Sequence, residues 1–119
     1  MTNEDCILAF AALAQSTRLE AFKLLVAYEP DGLPAGSIAD ALAVPHNTLS
    51  THLSILSRAH LVSAKRYSRS VVYRANLTQL QQLISYFLTD CCGGKPELCA
   101  PLLVDLSPSC SSKKTTEAI

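Results

Sequence analysis

The sequence has no tryptophan and only four tyrosines and three phenylalanines, so any core it builds is mostly aliphatic. It lacks an uninterrupted apolar run near the roughly 20 residues that a membrane-spanning helix needs. Its opening residues, Met1-Thr2-Asn3-Glu4-Asp5, contain no lysine or arginine and so do not read as the basic start of a secretory signal. These absences predict a cytoplasmic protein, whose thiols stay reduced. At 119 residues the chain is expected to hold one domain, with a modest core that gains from dimerisation.

Glycine is scarce as well, at four residues, and none belongs to a phosphate-binding loop. No Ser/His/Asp arrangement is suggested. A Cys/His nucleophile would need His46, His52 or His60 beside a thiol. An enzyme is therefore not expected.

The most informative absence is of negative charge. No acidic residue lies between Asp40 and Asp90, although the chain as a whole has ten acids, ten bases and zero net charge. Inside that gap stand Arg58, Lys65, Arg66, Arg69 and Arg74. Cations gathered this way suit a polyanion, because neutralised phosphates release their condensed counterions. A solvated basic face with no partner would carry the same charges. The pattern laid over the charge decides between them.

That pattern begins with a short apolar helix over Glu4 to Ala14, in which Ile7, Leu8, Ala11 and Ala14 fall near helical spacing. A second helix follows in STRLEAFKLLVAY, with Thr17 and Glu20 at capping-box spacing and Leu19, Phe22, Leu25 and Val26 as its inward stripe. Glu29-Pro30-Asp31-Gly32 is a stop and turn. Pro34 suits the first turn of a third helix that buries Ile38, Ala39 and Leu42. After a break at Ala43-Val44-Pro45, Leu49, Leu53 and Leu56 mark the inward edge of a fourth. From Val62 the period shortens to two, through Ala64 and Arg66, then Val71 and Tyr73 across a turn at Ser68-Arg69-Ser70, predicting a β-hairpin. A last helix opens at Asn76, with Gln79 as capping partner. Leu77, Leu80, Leu83, Ile84, Phe87, Leu88 and Cys91 form its near-heptad stripe, and Gly93-Gly94 close it.

Four helices, a hairpin and a fifth helix describe a mainly α winged helix-turn-helix. Opposite the buried leucines of the fourth helix, His46, Asn47, Ser50 and Thr51 offer donors and acceptors able to reach base edges in a DNA groove. The hairpin's Lys65, Arg66 and Arg69 are assigned to positioning along the DNA backbone. His52 is expected to make an internal hydrogen bond.

Five cysteines in a reducing compartment need an explanation. The stretch DCCGGKPELC places Cys91, Cys92 and Cys99 within nine residues. Three soft sulfurs suit a thiophilic centre. Neighbours on a regular helix point about 100° apart, so Cys91 and Cys92 can share an ion only where the helix ends, which Gly93-Gly94 permits. Three thiolates without a fourth ligand fit three-coordinate As(III) or Sb(III). Cys6 or Cys110 as a fourth would admit zinc or cadmium. A redox-forming disulfide, or three buried thiols acting as small hydrophobes, are the remaining readings.

STRLEAFKLL, then HNTLSTHLSIL, AHLV and the hairpin KRYSRSVVYRA, resemble the ArsR/SmtB family of metalloregulatory repressors over roughly residues 4 to 92. The resemblance implies a homodimer joined through the first and last helices, bound to an inverted repeat in operator DNA and released by a metal or metalloid. Its DNA-contacting positions fall on His46, Asn47, Ser50 and Thr51. Pro45 departs from the serine that often caps this helix in the family. The family's familiar arsenic sensors carry CVC before the recognition helix, where this chain has PAGSIADAL and no cysteine. Its zinc sensors use Asp and His in the last helix, and Thr78 to Thr89 contain neither. The remaining similarity is to arsenic-responsive members with a vicinal cysteine pair at the end of the last helix and a third cysteine soon after. It implies Cys91, Cys92 and Cys99 as ligands of As(III). The predicted organisation is a DNA-binding and dimerisation domain at 1–92, a metalloid-binding segment at 93–106 and a disordered tail at 107–119.

Overall fold

Helix α1 (Asn3–Leu13) starts from a reciprocal cap. The Thr2 hydroxyl accepts from the Asp5 N–H, and the Asp5 carboxylate accepts from the Thr2 N–H, both at 3.1 Å. That backbone hydrogen bond from Thr2 is the main reason the Asp5 carboxyl is held below its ordinary range. The buried face of α1 is Cys6, Ala9 and Ala12. Ile7, Leu8, Ala11 and Ala14, the residues whose spacing predicts this helix, are all exposed, Ile7 at 66%. The small residues let α1 pack closely on its neighbours, which leaves the larger apolar side chains outside.

Helix α2 (Ser16–Ala27) is capped by Gln15, whose side-chain oxygen accepts from the Arg18 N–H at 2.9 Å. Thr17 and Glu20 therefore do not form the expected capping box. Both lie inside the helix, and Glu20 pairs instead with Lys23 at 3.6 Å on the surface. Ala21, Phe22 and Leu25 are buried, whereas Leu19 and Val26 of the predicted stripe are exposed.

A feature absent from the sequence reading follows the turn. Strand β1 (Leu33–Pro34) is two residues long, too short to show a period. Gly32 leads into it at φ 76°, a conformation glycine adopts freely. A Cβ there would stand 2.4 Å from the Tyr73 carbonyl oxygen. Pro34 thus ends an edge strand and serves as the N-cap of helix α3 (Ala35–Leu42), rather than lying in its first turn. An edge position needs no N–H.

Helix α3 buries Ile38 and Ala39 and stops at Ala43, which takes a left-handed conformation. Pro45 then caps helix α4 (His46–Arg58) without any side-chain hydrogen bond. Leu49, Leu53 and Leu56 of α4 are buried as predicted. His60 turns the chain at φ 63°, and its N–H donates to the Ser57 carbonyl. Strands β2 (Val62–Tyr67) and β3 (Ser70–Ala75) form the hairpin, and the sheet order is β1-β3-β2, all antiparallel.

Helix α5 (Leu77–Cys91) begins at Asn76, whose side-chain oxygen accepts from the Gln79 N–H at 3.2 Å. Gln79 does not return the bond; its side chain donates to the Ala59 carbonyl, while Asn76 Nδ2 donates to the His60 carbonyl. These two amides fasten the start of α5 to the end of α4.

This computed structural model describes residues 1–91. Met1–Leu83 form one compact unit, and a second begins at Ile84 inside α5. The largest fully buried side chains are Leu25, Ile38, Leu49, Leu53, Leu56, Leu61 and Leu83, an aliphatic core as expected. No charged or polar residue among those described is buried, and no described helix is long and apolar enough to cross a membrane. The segments predicted at 93–106 and 107–119 lie outside the described residues.

Candidate nucleic-acid interface

Helices α3 and α4, joined by the tight turn at Ala43-Val44-Pro45, make a helix-turn-helix. With the three buried leucines of α4 inward, Asn47 and Thr51 fall on the opposite side, one turn apart, and His46 and Ser50 line one flank. All four side chains are exposed. Asn47 Oδ1 accepts from the Thr48 N–H at 2.9 Å, which leaves the two amide donors of Asn47 for a ligand. The Thr51 hydroxyl donates to the Asn47 carbonyl at 3.4 Å.

The acid-free stretch is less free of acid in space than in sequence. Asp40 on α3 brings Oδ1 within 3.4 Å of His46 Nε2, both side chains being well exposed. A carboxylate therefore stands beside the start of α4, although none lies within the helix itself. It engages His46. Arg58, at the far end of α4, is also exposed.

His52 is half-buried, and its Nδ1 lies 3.2 Å from Arg18 Nη1, the internal hydrogen bond the sequence suggested. Its partner was not foreseen, because Arg18 is 34 residues away.

The hairpin forms the wing. Side chains alternate along a strand, so Lys65 and Arg66 face opposite sides of it, across from Val72 and Val71 respectively. Lys65 shares its side with Tyr67 and holds its ammonium 5.5 Å from the centre of that ring. Arg69 sits in the two-residue turn between β2 and β3. Arg74 belongs with none of these. Its Nη2 and Nε donate to the two carboxylate oxygens of Glu29 at 2.7 and 3.3 Å, a two-pronged pair in which that positive charge is already matched. The same arginine holds the Glu29 carboxyl below its ordinary range. Sequence charge alone placed Arg74 among the available cations.

Cys91 is the last described residue of α5, and Cys92, Cys99 and Cys110 lie outside the described residues. Cys6 is buried in α1 as a free thiol. Among the described residues no group of three His, Cys, Asp or Glu side chains could hold a metal ion.

Comparison with known proteins agrees with this geometry. The family model for a helix-turn-helix domain matches residues 13–63. The transcriptional repressor SdpR of Bacillus subtilis (strain 168) is 32% identical over 79 residues, which span 66% of this chain and 84% of that protein. An ArsR-like transcriptional regulator from Rhodococcus sp. RHA1 superposes with a TM-score of 0.68 at 26% identity, covering 87% of this chain and 95% of its own. A protein described as a possible transcriptional regulator for arsenical resistance superposes with a TM-score of 0.58 at 26% identity, over 82% and 94% of the two chains. The relatives are regulators of transcription rather than enzymes. The exposed polar side of α4, the basic wing and these similarities together place the chain in the ArsR family of DNA-binding, winged helix-turn-helix transcriptional regulators.

Proposed function

We propose that the protein is a cytoplasmic, homodimeric repressor that holds an inverted-repeat operator and lets go when As(III) is bound by Cys91, Cys92 and Cys99. The observation that carries the DNA half is the exposed side of α4, which presents His46, Asn47, Ser50 and Thr51 away from its buried leucines. In this reading those four residues contact base edges in the major groove. Lys65, Arg66 and Arg69 contact the sugar-phosphate backbone and fix the register.

Dimerisation is supported by α1. Ile7 is 66% and Leu8 45% exposed, an apolar face that a second copy of the chain would cover. The domain of residues 1–92 would then carry both reading and pairing, and residues 93–106 would complete the sensor.

The sensor half is supported by the donor set. Three thiolates supply the soft sulfur ligands that a thiophilic ion takes in preference to oxygen, and α5 reaches Cys91. One protein of similar structure is a possible transcriptional regulator for arsenical resistance. Sb(III) offers the same coordination chemistry. The bound metalloid would crosslink the end of the dimerising helix to the segment beyond it. An effector that prefers the DNA-free form must weaken DNA binding by the same factor.

Operator DNA selected by the protein from a random pool tests the DNA half. Asn47→Ala is expected to lose about 1–3 kcal/mol on that DNA and to relax the preference at one base position. Equal losses on selected and random DNA would reject the assignment. X-ray absorption of the arsenite-loaded protein is expected to count three sulfurs around arsenic. Oxygen ligands alone would reject the thiolate site.

A further inference from the structure

Arg18 lies in the first turn of α2, yet its side chain serves two other helices. Its Nε donates to the Ala12 carbonyl at 2.7 Å, and Nη2 reaches the Ala11 carbonyl at 3.5 Å. These belong to the last turn of α1, where a helix runs short of its own N–H donors and the Ala11 carbonyl also accepts from the Ala14 N–H at 3.3 Å. A guanidinium there is also favoured by the negative end of the helix dipole. Its third contact, Nη1 at 3.2 Å from His52 Nδ1, lies midway along α4. The backbone N–H of Arg18 is itself held by Gln15, so the residue is anchored at both ends.

The chemistry of this contact fixes His52. A guanidinium has five donors and no acceptor, so His52 Nδ1 must be the unprotonated nitrogen. The neutral ring then carries its hydrogen on Nε2. Between its ends, which are tied at His46 to Asp40 and at the Ala59 carbonyl to Gln79, α4 buries Leu49, Leu53 and Leu56. Aliphatic contacts are not directional and leave a helix some freedom to roll. A hydrogen bond with defined geometry removes that freedom.

We propose that Arg18 is a positioning residue for DNA recognition. Acting through His52, it sets α4 against α1, and hence the separation of the two reading helices in the dimer. This rests on the reading of α4 as the DNA-contacting helix and α1 as a dimer helix. Half-sites on DNA are spaced by the helical repeat, so a small roll of α4 in both protomers shifts the reading heads out of step with it.

The test uses the full-length protein and DNA that the wild type selects from a random pool. Binding is measured by anisotropy on that DNA, on versions with one base pair added or removed at the centre, and on random-sequence DNA. Arg18→Gln and His52→Phe are each expected to weaken binding to the selected DNA about tenfold, with random-sequence binding within about twofold of wild type. Both should also flatten the dependence on spacing, and the double variant should be no worse than either single one. His52→Asn, whose Oδ1 can replace Nδ1 as acceptor, is expected to stay within about threefold of wild type. Nitrogen NMR of wild-type His52 should show Nε2 protonated and Nδ1 bare. His52→Phe keeps the bonds of Arg18 to α1, so it decides the matter even where Arg18→Gln fails to fold. Equal losses on selected and random DNA, additive losses in the double variant, or unchanged spacing preference would overturn the proposal. Failure of the wild type to select any DNA would instead reject the reading of α4, and the inference with it.

Discussion

At Gly32 the chain passes so close to β3 that a Cβ would meet the Tyr73 carbonyl oxygen at 2.4 Å and Arg74 Cγ at 2.7 Å, with φ at 76° besides. Backbone and neighbour both disfavour a side chain. Gly32→Ala is therefore expected to lose at least about 1 kcal/mol of stability, measured as a lower urea midpoint. Just before it, Glu29 binds Arg74 through both oxygens, and that pairing lowers its carboxyl pKa. A carboxyl whose pKa falls on folding adds stability above its unfolded value of about 4.3, and the gain is lost as pH drops through the lower folded value. Urea midpoints of wild type and Glu29→Gln should differ by a constant amount from neutral pH down to about pH 5 and converge in acid. A gap that persists at low pH would contradict the ion pair as its source. The sequence showed Gly32 as a turn but not the close approach, because that depends on β3 some 40 residues later. The pairing of Arg74 with Glu29 was hidden for the same reason, being 45 residues long in sequence.

Among the elements, α4 was the most legible. Its leucines repeat at the spacing of a helix packed along one side, and the polar remainder could only face outward. Helix α1 was legible as a helix, but its buried face, Cys6, Ala9 and Ala12, was not, because small side chains give little hydrophobic pattern to mark it. Strand β1 had too few residues for a pattern, and the cap on α2 came from glutamine, not the threonine two positions on. The wing was legible as a hairpin, and its charges divide once the partners are known. Arg69 in the turn is expected to touch a phosphate, so Arg69→Ala should reduce the slope of log affinity against log salt by about 0.9. Arg74→Ala, which removes a cation already bound to Glu29, should leave that slope unchanged. A reversed result would mean that the turn of the wing points away from DNA.

For the molecule as a whole, a sequence with zero net charge separates its functions along its length. The cations and polar residues proposed to meet DNA fall between Asp40 and Asp90, and the three cysteines of the proposed thiolate site fall later, at 91, 92 and 99. The fold was readable because α3, α4 and α5 carry apolar stripes at helical spacing and the hairpin's residues alternate in sequence. The thiol cluster was readable only as chemistry, since three sulfurs can be counted in a sequence but their common geometry cannot. The central claim joins the two ends: filling the thiolate site lowers affinity for DNA. Its most direct measurement is an arsenite titration of the reduced protein bound to its selected operator, for wild type, Cys91→Ser and Cys99→Ser. The account predicts that arsenite releases the wild type and that both variants bind DNA normally but stay bound. Release of either variant at the same arsenite concentration as wild type, or a wild type that arsenite never releases, would contradict it.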